Sequence, residues 1–71
     1  MTYNYGKLKE RIRMKYGTFG RFARAMGMHP NSLVNKLMGH TQWRQCEMAK
    51  ACKLLGIKKL YIGEYFFSEK V

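Results

Sequence analysis

The chain contains no aspartate, and its only acidic residues are Glu10, Glu47, Glu64 and Glu69. None of the four has an evident catalytic partner, and there is no Ser/His/Asp set and no phosphate-binding glycine loop, so an enzyme is not expected. Cysteine occurs twice, at Cys46 and Cys52. Six residues apart on a predicted helix, the pair is separated by roughly 9 Å of helical rise, outside disulfide geometry. Zinc spacings such as Cys-x-x-Cys are absent, and only His29 and His40 could add ligands. No metal or other cofactor is therefore expected, and both thiols are read as reduced, Cys52 buried and Cys46 more exposed. Long apolar runs are missing, which excludes a membrane span. The N-terminus is polar and tyrosine-rich, unlike a signal peptide. The expectation is a soluble, intracellular protein. Proline occurs once, at Pro30, and no linker, repeat or low-complexity tract is present.

What is abundant is positive charge. Lysine and arginine number 14 against 4 acidic residues, for a net charge of +10. On a folded chain this balance implies a polyanionic partner, nucleic acid first, although a ribosomal or anionic membrane surface would use the same charge. A length of 71 residues with 46% apolar composition predicts one small domain, residues 1–71, with a single core that is marginal without good packing or oligomerisation.

Residues 18–39, TFGRFARAMGMHPNSLVNKLMG, organise the rest. Phe19, Phe22, Ala23 and Met26 recur at i, i+3, i+4 and i+7, the apolar face of a helix. Thr18 is its N-cap and Gly27 its C-terminal stop. A second helix follows at once, with His29 or Met28 at its cap and Pro30 in its first turn, where the missing N–H costs nothing. Leu33 and Leu37 are its buried pair, with Val34 beside them, and Gly39 ends it. Two short helices joined through a glycine turn are the signature of a helix-turn-helix. The opposite face of the second helix collects Asn31, Ser32, Asn35 and Lys36. Amides can pair with adenine, and lysine can reach guanine or phosphate, in a major groove. The competing reading is an ordinary solvated face. The glycine turn, the preceding helix and the net charge weigh against it.

The remaining segments complete an all-α fold of five helices. Helix one is predicted from about Tyr5 to Tyr16, with Tyr5, Leu8, Ile12 and Tyr16 inward and Lys7, Lys9, Arg11, Arg13 and Lys15 around them. Residues 1–4 form a polar arm expected to fray. Trp43 is expected to plug the gap between helices three and four, with its indole N–H paired. Helix four is predicted from roughly Arg44 to Leu55, with Met48, Ala51, Cys52 and Leu55 inward, Lys50 and Lys53 outward, and Gly56 as its stop. A short fifth helix is predicted at about Lys58 to Ile62. Beyond it, Tyr65, Phe66 and Phe67, with Tyr61, form an aromatic cluster that either closes the core or makes a dimer or partner contact.

The spacing of Ala23, Gly27 and Leu33 resembles the helix-turn-helix of phage Cro and repressor proteins. TYNYGKLKERI, SLVNKLMG and KACKLLGI…IGEYFF extend the resemblance, over nearly the whole chain, to small Cro-like regulators of temperate phages of Gram-positive bacteria. It implies a compact, lambda-repressor-like fold. It also implies that the N-terminus of helix two meets the DNA backbone, with Thr18 and Arg21 on phosphates, a use consistent with the free N–H groups and dipole there. The loop with His40 and Arg44 likewise approaches phosphates. His29, Asn31, Ser32, Asn35 and Lys36 form the expected base-readout set. One departure is that relatives bury an aliphatic residue where this chain has Lys36, and Leu37 takes the packing role. Which of Asn35 and Lys36 reaches deepest is left open.

The function expected on these grounds is a sequence-specific double-stranded DNA-binding repressor of phage or prophage origin. It would act by operator occlusion, as a homodimer formed on DNA, in the cytoplasm of a bacterial host. The alternative is a protein-interaction module that modulates a cognate phage repressor through its aromatic tail. A third reading is an antitoxin.

Overall fold

Five apolar faces become five helices, the first four of them bounded by a cap or a glycine. The computed structural model describes residues 3–68. They form α1 (Gly6–Tyr16), α2 (Phe19–Met26), α3 (Pro30–Leu37), α4 (Gln45–Leu55) and α5 (Ile62–Phe66), with one 3-10 turn over Lys59–Tyr61 before α5. The fold is all-α, as expected.

The inward faces meet in one core. Leu8 and Ile12 of α1, Phe22 of α2, Leu33 of α3, Leu55 of α4 and Phe66 of α5 are its largest fully buried side chains. Each contributes about 1.5–3 kcal/mol by leaving water. Tyr16 is half-buried, its ring 5.2 Å from that of Phe22. Val34 departs from the expected packing: it is 39% exposed, because Leu33 and Leu37 alone face inward on so short a helix.

Two cations seal helix ends. Arg11 Nε donates to the Leu55 carbonyl (3.1 Å) at the end of α4. Lys50 Nζ donates to the Met26 carbonyl (3.2 Å) at the end of α2. Positive charge at a helix C-terminus satisfies free carbonyls and opposes the negative end of the dipole. Parts of the cationic run on α1 and of the outer face of α4 therefore serve the fold.

Three further features depart from the sequence reading. Tyr3 and Asn4 do not fray: the Asn4 amide donates to the Ser68 carbonyl (2.6 Å), and the Tyr3 ring meets Phe67 edge-on at 5.6 Å. Residues 1–2 of the arm lie outside the described residues. The fifth helix sits later than Lys58–Ile62, because Ile62 and Phe66, at i, i+4, supply its inward face. Trp43, expected in the gap between helices three and four, packs at the core edge against Phe66 of α5 (5.0 Å) and Tyr5 at the start of α1 (6.5 Å). Its buried indole Nε1, however, has no hydrogen-bond partner among the described residues. Edge-on packing on Phe66 holds the ring in place.

Candidate functional site

The helix-turn-helix expectation places function on α2, α3 and the loop after them, and local chemistry explains their geometry. The Thr18 hydroxyl accepts the Arg21 amide (3.2 Å), capping α2. Gly27 takes the left-handed conformation at φ 76° and ψ 28°. The Met28 amide returns to the Ala23 carbonyl (3.0 Å), the six-to-one bond of a Schellman turn. His29, rather than Met28, caps α3: its Nδ1 accepts the Asn31 amide (3.1 Å). The imidazole is thus committed to the helix start through one of its ring nitrogens.

Two concavities adjoin along this surface and share Met28. One, of about 580 Å³, brings together Thr18, Gly20, Arg21, Arg24 and His29. The other, of about 510 Å³, is lined by Ser32, Asn35, Lys36, Gln42 and Arg44, with Glu47 behind them. Asn31 and His40 line neither, although both are exposed. Met28, at the seam, lies outside the expected site; its place in the turn between the end of α2 and the start of α3 is the signal for it.

Lys36 does not project outward as the readout set requires. Its ammonium donates to the Gln42 carbonyl (2.9 Å) and pairs with Glu47 Oε1 (3.0 Å), leaving its side chain only 12% exposed. The same Glu47 oxygen accepts the Arg44 amide (2.8 Å) and caps α4. Burial pushes the Glu47 carboxyl up, but the Arg44 amide and the Lys36 ammonium outweigh it and hold the group below its ordinary value. Between Asn35 and Lys36, the exposed residue is therefore Asn35. The outward face of α3 carries Asn31, Ser32 and Asn35, joined by the exposed apolar Val34 and Met38. Its one cation is neutralised. Glu47 was not part of the sequence-predicted site, although a glutamate three residues after Arg44 at a helix start was a legible capping signal.

The aromatic tail divides. Phe66 is 1% exposed and belongs to the core, which removes it from the expected contact set: α5 turns it inward beneath Trp43. Tyr65 is half-buried, with the Lys7 ammonium 5.2 Å from its ring centre. Phe67 is 47% exposed. Among the described residues no group of acidic, histidine or cysteine side chains could hold a metal ion, and no helix is long and apolar enough to cross a membrane.

None of the curated proteins matches the chain. Among solved structures, the fold is similar to the solution structure of the modulator of repression (MOR) of the temperate bacteriophage TP901-1 from Lactococcus lactis. The TM-score is 0.83 at 37% identity, over 100% of this chain and 96% of that one. The likeness thus runs to a phage regulatory protein, but to a modulator rather than to a Cro repressor. Residues 1–69 match the model of a family described as proteins of unknown function, DUF739. With all but its last two residues inside that match, the chain belongs to the DUF739 family.

Proposed function

We propose that this protein is a small phage regulator that modulates a cognate repressor by binding the repressor protein. The observation that carries the reading is the end-to-end likeness to a modulator of repression, at 37% identity with no segment of this chain left over. The α3 surface supports it. A helix that binds duplex DNA gains much of its affinity from cations meeting phosphates and guanines, and here Lys36 is held by Glu47 and Gln42. Exposed Val34 and Met38 beside two asparagines match a protein surface as well as a base edge. No catalytic step is involved, and the site of action is the bacterial cytoplasm.

A second reading, direct operator binding by a DNA-bound homodimer, is favoured by one observation. Thr18, Arg21 and His29 converge where α2 begins, an arrangement suited to a phosphate. One experiment separates the two. A candidate repressor from the same phage is titrated with the protein by sedimentation velocity, and duplex carrying that repressor's operator is titrated in parallel across a salt series. A repressor complex, without sequence-specific duplex binding by the protein alone, is the expected result. Sequence-specific occupancy of the duplex, with log K falling steeply against log salt and no repressor complex, would establish the second reading instead.

A further inference from the structure

A further concavity lies away from the helix-turn-helix. It is a groove of about 720 Å³ between α4 and the C-terminal segment, within the range of about 300–1,000 Å³ typical of binding clefts. Met48, Cys52, Ile57, Ile62 and Phe67 make its apolar floor and far wall. Along α4, Gln45, Met48, Ala49, Cys52 and Lys53 repeat at i, i+3, i+4, i+7 and i+8, so one continuous helix face lines it. Lys53 and Lys59 stand on the rim. Among the described residues no acidic side chain lines the groove, and neither lysine is in an ion pair.

From this combination we infer that the groove docks an acidic amphipathic segment of a partner protein, its apolar side chains on the floor and its carboxylates against Lys53 and Lys59. The inference rests on the reading that the protein acts by binding another protein, and names the surface and the chemistry. Charge complementarity selects the occupant. An apolar groove with a cationic rim rewards carboxylates flanking an apolar stripe and penalises cations in the same place. A second copy of this chain is a poor occupant: it brings a charge of +10, and two of its few glutamates, Glu47 and Glu64, are paired with Lys36 and Lys7. An amphipathic helix laid along a groove is a recurrent recognition mode, and α4, at about 1.5 Å per residue, offers a wall long enough for several turns.

The test uses the full chain labelled with nitrogen-15. It is titrated with a model peptide of about 14 residues, roughly four helical turns, carrying leucines on one face and glutamates on the other, and with its lysine-for-glutamate twin. Amides of Gln45, Ala49, Lys53 and Lys59 should shift with the acidic peptide and stay still with the cationic one. Lys53→Glu with Lys59→Glu should lower the acidic peptide's affinity about tenfold or more, and Ala49→Gln, on an exposed helical position, should do so by obstruction. Circular dichroism confirms that both variants are folded. Equal response to both peptides, no response, or shifts confined to other surfaces overturns the inference. Concentration-dependent shifts of the same amides in the free protein assign the groove to a second copy and also overturn it. The repressor is then added in place of the peptide. Shifts at the groove support both readings. Shifts at Asn31 and Asn35 with a silent groove overturn the groove as the repressor's site and leave the proposed function standing. A groove that takes the peptide while the repressor shifts nothing overturns the proposed function alone.

Discussion

A single torsion angle at Gly27 sets how α2 hands over to α3. At φ 76° a side chain is strained, although a Cβ there would meet nothing closer than Lys50 Nζ at 3.8 Å. The cost of a substitution is thus backbone strain rather than a clash, and a β-branched residue suffers most. Gly27→Val should destabilise by about 1–3 kcal/mol, seen as a lowered unfolding midpoint of at least about 4 °C; an unchanged midpoint would contradict the turn geometry. Glu47 matters by its charge. Its folded carboxyl lies below the ordinary value of 4.5, so its contribution is complete above that pH and fades as pH falls through the folded value. For an acid in the first turn of a helix the contribution is about 0.3–1 kcal/mol. Glu47→Gln should be less stable than the native chain near pH 7, with the gap closing as pH falls below 4.5 and through the folded value, read from urea unfolding at each pH.

At the end of α5, neighbouring aromatics have opposite roles. Phe66 is fully buried against Trp43, whereas Phe67 is half-exposed and touches Tyr3 at the edge. Phe66→Ala should cost about 3–5 kcal/mol, enough to unfold much of a domain this small at physiological temperature. Phe67→Ser should cost about 1 kcal/mol and leave the helical circular dichroism intact, in line with ordinary surface changes. Comparable losses from the two substitutions would show that the tail packs differently. The same contrast applies across α3, where Leu33 and Leu37 hold the helix down and the outward asparagines are free to be replaced without unfolding it.

For the whole molecule, charge opposes the fold. A net +10 on a body about 30 × 25 × 22 Å brings many like charges within a Debye length of one another at low salt. Against this stand the ion pairs Lys7–Glu64 and Lys36–Glu47, of which the exposed first contributes little. Added salt therefore screens more repulsion than attraction. Raising sodium chloride from about 0.05 M to about 0.5 M should raise the thermal midpoint, each kcal/mol gained being worth about 4–8 °C for a domain of this size. A midpoint that falls with salt would mean that attractive pairs dominate. The opposite trend is expected of any complex with a polyanion, which salt weakens.

The first four helices and their boundaries were readable in the chain itself, because they follow from local rules, whereas α5 lies later than the sequence placed it. Apolar period, a threonine before Phe19, a proline at the start of α3 and glycines after Met26 and Leu55 are all interactions within a few residues. The face that α3 presents was readable for the same reason, since helical geometry alone puts Asn31 and Asn35 opposite Leu33 and Leu37. Tertiary structure decided what depends on contacts far apart in sequence. Lys36 is turned inward by a glutamate on the next helix and the carbonyl of Gln42, and helical periodicity carries no information about such a partner. Likewise Phe66 and Phe67, adjacent and chemically alike, are told apart only by the position of Trp43 and Tyr3. The groove beside α4 exists because Ile57, Ile62 and Phe67 come to rest next to Met48 and Cys52. A helix face is a property of its own sequence, but a cleft belongs to two segments, and only folding brings its walls together.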